Sequence, residues 1–166
     1  MQQGQQELYK TIQGARSMKI SENFTLEELV KSDTAKRLGI ENMPTPEQLE
    51  NLIELCHKVL QPLRDEIGPI HISSGLRVPA LNKAIGGSKT SQHCAINGAA
   101  ADISIKDNKK AFDYIKDNLI FDQLIWEFGN EKQPDWVHVS YHYGKNRGQI
   151  LRAVKKNGKT TYINYK

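Results

Sequence analysis

The sequence predicts an α+β fold, a mostly antiparallel sheet with flanking helices. Three observations carry that expectation. Two helix-start signatures, Thr25 with Glu28 and Thr45-Pro46-Glu47-Gln48, sit in the first third of the chain. From residue 70 onward, short strand-like runs alternate with two helical stretches. Near the end, Asn157-Gly158 separates two strand-like runs and is the strongest short hairpin signal in the chain.

In chain order, residues 1–17 are polar and Gln-rich and read as a flexible N-terminal arm or a cloning remnant, leaving residues 18–166 as one domain. Thr25 with Glu28 three residues on is a capping box that opens a helix, and Gly39 closes that region. At the second start Thr45 caps, Pro46 takes the first helical position and Gln48 completes the box. Leu49, Leu52, Ile53, Cys56, Leu60, Leu63 and Ile67 then recur at helical spacing, so one long helix is expected to about Glu66, bent at Pro62 and stopped by Gly68-Pro69. A strand over 70–74, a short helix over 79–85 and a Gly86-Gly87-Ser88 turn follow. In 101–105, Ile103 and Ile105 share one strand face, and Asp102 and Ser104 the other. Asp107 caps a helix carrying Ala111, Phe112, Ile115 and Leu119. Strands over 122–128 and 136–142 come next, and the runs 148–155 and 159–164 flank Asn157-Gly158.

At 166 residues, with 38% hydrophobic and 25% charged residues, the chain has the makings of one globular domain with a real core. No apolar run approaches the roughly 20 residues a membrane span needs. The N-terminus lacks a basic-then-apolar export pattern, which leaves the localisation open. Cys56 and Cys94 do not make a disulfide framework; Cys56 lies on the apolar stripe of the long helix. The net charge of +4 suits an anionic polymer such as a cell wall and equally nucleic acid, so charge alone does not choose.

The chemistry concentrates in Ser91-Gln92-His93-Cys94-Ala95-Ile96-Asn97-Gly98-Ala99-Ala100-Ala101-Asp102-Ile103, followed by Trp136-Val137-His138-Val139-Ser140. One carboxylate and two imidazoles, His93, Asp102 and His138, form a common ligand set for a catalytic zinc, which keeps a fourth position for water. By residue type alone they are equally three unrelated polar residues. Among the other histidines, His57 lies off the apolar stripe and faces solvent, while His71 lines a cleft or packs. His142 shares a strand face with His138 but sits roughly 13 Å away, too far to join one ion. Cys94 adjoins a candidate ligand, and sequence neighbours rarely both reach one ion.

The pattern Ser91-x-His93, then Gly98, Ala101 and Asp102-Ile103, then Trp136-x-His138-x-Ser140, resembles the zinc D-alanyl-D-alanine carboxypeptidase family. That family includes phage L-alanyl-D-glutamate endolysins and shares a core with the hedgehog signalling domain. The similarity runs from about Phe24 to Leu151, with the His93–Asp102 interval two residues longer than the family pattern, in Cys94 to Asn97. The resemblance implies a hedgehog-like fold, a single zinc peptidase domain over 18–166, and Zn2+ held by His93, Asp102 and His138. It implies hydrolysis of D-amino-acid-containing stem peptides of peptidoglycan by metal-activated water, by a monomer without a nucleic-acid partner.

For the general base there are two carboxylates near His138. Glu127 on the preceding strand is preferred, because a hairpin across 129–134 brings it beside His138, and because relatives carry a glutamate shortly before the last histidine. Asp135 is the alternative if the strand begins only at Trp136. In the family an arginine after the 70–74 strand holds a substrate carboxylate, a role that falls to Arg77; a surface salt bridge is the other reading. Ser91 and Gln92 are candidate substrate contacts, Ser140 a weaker one, and Trp136 packs. A binding module that keeps the metal for structure, or for gripping wall peptides, is the alternative to an enzyme; an intact base carboxylate separates the two. D-Ala-D-Ala and L-Ala-D-Glu cleavage, and phage-released or host origin, stay open. The basic hairpin (Arg147, Arg152, Lys155, Lys156, Lys159) reads as a solvated face rather than a nucleic-acid site.

Overall fold

A computed structural model describes residues 2–166. Met1, the first residue of the expected arm, lies outside them; the remainder of that arm forms helix α1 (Gln2–Arg16) and the residues leading to the first strand. Arg16 reaches Glu41 at 3.4 Å and Glu27 at 3.7 Å, exposed contacts of the kind that contribute little. A two-stranded ribbon, β1 (Lys19–Ser21) and β2 (Phe24–Thr25), leads into α2 (Leu26–Val30), where the Glu28 carboxylate accepts from the Thr25 amide at 2.9 Å. Ser32 then starts a separate helix α3 (Asp33–Leu38), which ends on Gly39 in the left-handed conformation.

The Thr45 capping box opens α4 (Pro46–Leu55) as expected, with Gln48 completing it. The long helix is not continuous. A π-helical turn, Cys56–Leu60, separates α4 from α5 (Gln61–Ile67), and the Gln61 amide donates to the Cys56 carbonyl five residues back. Pro62 has no amide to donate, and its ring crowds the carbonyl four residues earlier. Widening the turn ahead of it relieves that conflict while the apolar stripe keeps facing inward. Leu52, Leu55, Cys56, Val59, Leu60 and Leu63 are all fully buried across the three segments. Each such aliphatic side chain contributes about 1.5–3 kcal/mol.

The main sheet has strand order β3-β4-β6-β5-β7-β8. Its members are β3 (His71–Ser74), β4 (Ala99–Ser104), β5 (Gln123–Glu127), β6 (Trp136–Tyr141), β7 (Gln149–Lys156) and β8 (Lys159–Asn164). Every pairing is antiparallel except β5 with β7, which is parallel. Helices α6 (Pro79–Ala84) and α7 (Asn108–Asn118) are interposed, and Asp107 caps α7 as expected. Asn157 and Gly158 both adopt positive φ at the β7–β8 turn, the backbone an Asn-Gly two-residue hairpin needs.

One face of the sheet is the core. Ala99, Ala101 and Ile103 of β4, Val137 and Val139 of β6, and Leu124 and Trp126 of β5 pack there against α4 and α7. The small residues of β4 let α4 approach closely. The opposite face opens onto a cleft of about 890 Å³. Alternation therefore sends Asp102, His138, Ile125 and Glu127 into the cleft while their neighbours build the core. Among the described residues no helix is long and apolar enough to cross a membrane.

Candidate metal centre and active site

Asp102 on β4 lies directly opposite His138 on β6. His138 Nδ1 is 3.0 Å from Asp102 Oδ1, and His93 Nε2 is 3.4 Å from Asp102 Oδ2. His93 sits on a single 3-10 turn, Gln92–Cys94, that is tied down on all sides. From α4, Gln48 Nε2 donates to the Cys94 carbonyl at 3.0 Å, and Asn51 Nδ2 donates to the Ala95 carbonyl at 2.8 Å. The Arg77 amide donates to the His93 carbonyl at 2.8 Å. Two glycines make the approach possible. A Cβ on Gly75 would meet the Leu29 carbonyl oxygen at 2.3 Å, and one on Gly98, at φ +78°, would meet the Tyr141 carbonyl oxygen at 2.3 Å.

The donor set suits a cation. His93 Nδ1 faces the Gly75 carbonyl at 2.8 Å, an acceptor only, so Nδ1 carries the proton of the neutral ring. Burial lowers the His93 pKa against the opposing pull of Asp102, favouring that neutral form. A bare Nε2 lone pair then faces an ionised carboxylate oxygen, an arrangement that a positive ion between them resolves. Burial pushes Asp102 up, but the neighbouring imidazoles of His138 and His93 outweigh it and hold the carboxyl well below the usual range. Three ligand atoms, one per residue, lie within 4.8 Å of one another. Four ligands at about 2.0–2.2 Å from a tetrahedral ion stand roughly 3.3–3.6 Å apart; the two imidazoles here approach the Asp102 oxygens to 3.0 and 3.4 Å.

Glu127 lies at the end of β5. It pairs with Trp136, while Ile125 stands opposite His138, so Glu127 is a diagonal rather than a direct neighbour of His138. It is 6% exposed. Burial, reinforced by the Asp102 charge and partly offset by His138, pushes its carboxyl up to about 7. Phe128, which follows it, adopts φ +54°, and Ala95 after the His93 turn adopts φ +56°. Non-glycine residues in this region store strain that the surrounding packing must hold, and here one follows Glu127 and the other closes the His93 turn. Asp135 is exposed in the turn before β6, with its backbone bonded to Glu127 and Asn108, and it is not part of the cleft wall.

Arg77 and Ser91 meet in the cleft, Arg77 Nη2 donating to Ser91 Oγ at 3.3 Å, and Ser91 Oγ also accepts from the His93 amide. Arg77 Nε is buried without a hydrogen-bond partner among the described residues. Gln92 Nε2 is engaged by Asp122 Oδ2 at 2.8 Å and by the Asn97 carbonyl at 2.9 Å. Ser140 is fully buried and accepts from the Gln123 amide. Trp136 packs on Phe128 and also borders the cleft. His142 borders the cleft outside the His93–Asp102–His138 cluster; His57 and His71 are exposed; Cys94 is buried as a free thiol.

The family model for Peptidase M15 matches residues 22–140, which is 119 of the chain's 166 residues and includes all three cluster residues and Glu127. The chain belongs to the peptidase M15 family. None of the curated proteins matches it. As an M15 peptidase it is a hydrolase of peptide bonds, and His93, Asp102 and His138 are its candidate metal site. The matched segment ends within β6, so the β7–β8 hairpin stands outside it.

Several positioning residues of this M15 peptidase carried no sequence signal. Buried Asn42 donates to the Val30 and Leu76 carbonyls and accepts from the Val78 amide, fixing the segment that bears Arg77. Asp122, 2% exposed, accepts from the Arg147 backbone amide and two of its guanidinium nitrogens and holds Gln92. Both act on partners at least 12 residues away, where no local pattern reaches. Gln48 is different: the capping box marks it, but its bond to Cys94 needs the fold.

Proposed function

We propose that this M15 peptidase is a zinc enzyme that hydrolyses D-amino-acid-containing stem peptides of peptidoglycan. The observation that carries the reading is the buried His93–Asp102–His138 cluster with Glu127 set diagonally beside it on one cleft face. His93, Asp102 and His138 would hold the ion. Bound zinc supplies a Lewis acid and lowers the pKa of a water by several units. Glu127 takes a proton from the attacking water and returns it to the leaving amine. Burial raises the Glu127 carboxyl towards neutral pH, which suits both transfers, and a bound cation draws it back towards the ionised form that accepts the proton. Arg77 offers a guanidinium fork to a substrate carboxylate, and its unpartnered Nε supports that role. Ser91 orients Arg77 and the His93 turn, and Gln92 braces the cleft wall through Asp122. The peptidase unit is residues 18–166, acting as a monomer with the hedgehog-like core the sequence pattern implies.

The test is mass spectrometry of purified muropeptides digested with zinc-loaded wild type and with Glu127→Gln. The expected result is a defined new fragment from wild type and a rate lower by roughly 10² to 10⁴ for the variant. Stable binding of muropeptides by wild type without any cleavage would favour a wall-binding module instead.

A further inference from the structure

The β7–β8 hairpin lies beyond the segment that the M15 model matches and contributes none of the cluster residues, yet it walls one side of the cleft. Its register explains how. Glu127 pairs with Ala153 across β5 and β7, and Ala153 pairs with Tyr162 across β7 and β8. Laterally aligned residues project from the same face of a sheet, so Glu127, Ala153 and Tyr162 stand in one row. Strands lie about 4.8 Å apart, which puts Tyr162 roughly 10 Å from Glu127 with only a methyl group between them. Ala153 is fully buried, whereas Tyr162 is 54% exposed and borders the same cleft as Asp102, Glu127 and His138. Burial, and then the negative charges of Glu127 and Asp102, raise the phenol, so it remains a hydrogen-bond donor within their electrostatic reach. On the same face, Lys155 Nζ donates to Thr160 Oγ1 at 3.0 Å and lies 5.3 Å from the Phe128 ring centre, pinning the hairpin to the strained residue that follows Glu127.

We propose that Tyr162 is a specificity-determining residue that contacts the substrate on the leaving-amine side of the scissile bond. The proposal rests on the reading of Glu127 as the base. A base that returns its proton to the leaving amine must come within hydrogen-bond reach of that nitrogen. The residue attached to the nitrogen then falls beside Glu127, on the side away from His138, where Tyr162 forms the wall. An aromatic wall one strand beyond the buried Ala153 limits the space for that residue's side chain. The phenol donates to the carbonyl or carboxylate of that same residue.

The test compares the stem peptide cleaved in muropeptide digests with the same peptide carrying D-leucine as its leaving residue. Wild type should prefer the natural peptide, and Tyr162→Ala should shrink that preference in kcat/KM by about tenfold. Tyr162→Phe should keep the size preference and lose about three- to tenfold in kcat/KM on both peptides. Zinc content should stay at the wild-type level in both variants. Binding of the uncleaved peptide to Glu127→Gln, with and without Tyr162→Phe, gives a second readout, expected to weaken by a similar factor. An unchanged preference in Tyr162→Ala, with Glu127→Gln inactive, would overturn the role of Tyr162 alone. Wild-type turnover by Glu127→Gln would overturn the base reading, and the leaving-side placement with it.

Discussion

Glu127→Gln replaces a buried carboxyl by a neutral side chain of the same shape, and the pH dependence of stability reads out its environment. Burial is the main cause that lifts this carboxyl from 4.5 to about 7, with the Asp102 charge adding and His138 subtracting. A folded pKa above the unfolded one means that the folded chain holds the proton more tightly. That contribution is fully present below about 4.5 and is lost as the pH rises through about 7, where the folded chain must carry a buried charge. Glutamine does not titrate, so the stability of the variant relative to wild type should climb with pH. Linkage with these two values gives a climb of about 2 kcal/mol between about pH 5.5 and about pH 8.5. For a chain of this length that widens the gap in melting temperature by about 4–8 °C. The assay is thermal or urea unfolding of both proteins, metal-free, at a series of pH values. A gap that stays constant across the range would refute the reasoning, because Glu127 would then titrate as an ordinary solvated carboxylate. Added zinc should shrink the climb, since a nearby cation favours the ionised form.

Arg77→Lys keeps the charge and removes the fork, so about ten- to a hundredfold should be lost in kcat/KM on a peptide with a free carboxylate at the clamped position. The amidated peptide should be poor for wild type and nearly indifferent to the substitution; equal losses on both would give Arg77 a structural role. Gly98→Ala forces a side chain into positive φ and against the Tyr141 carbonyl, where β4 begins beside β6. A loss of at least about 2 kcal/mol in unfolding free energy is expected, and a change near zero would contradict the close approach.

Much of the fold was legible because its signals are local. The Thr25 and Thr45 starts, the Asp107 cap, the Leu52–Leu63 stripe and the Asn157-Gly158 turn each lie within a few residues of the structure they specify. The π-helical turn was half legible: Pro62 announces a disturbance, but the way the helix absorbs it depends on which side the core lies. Helix α1 escaped notice because its composition is mostly polar and Gln-rich, with only Leu8, Ile12 and Ala15 at helical spacing. In the site, strand alternation separated Asp102 from the apolar face of its strand, but the register of β5 against β6 was beyond a periodicity argument. That register sets Glu127 beside Trp136 and leaves Asp135 in the turn. The Gln48, Asn51, Asn42 and Asp122 contacts join distant segments and become visible only when the sheet is assembled.

The central claim is that His93, Asp102 and His138 hold one zinc that this peptidase needs. The direct measurement is turnover of muropeptides as zinc is added to the metal-free chain, with metal content followed in parallel by elemental analysis. The expected result is a linear rise that breaks at about one zinc per chain. His93→Ala, Asp102→Ala and His138→Ala should each lose both the bound zinc and the turnover. Full turnover in the metal-free chain, or full zinc content in two of the three variants, would contradict the claim.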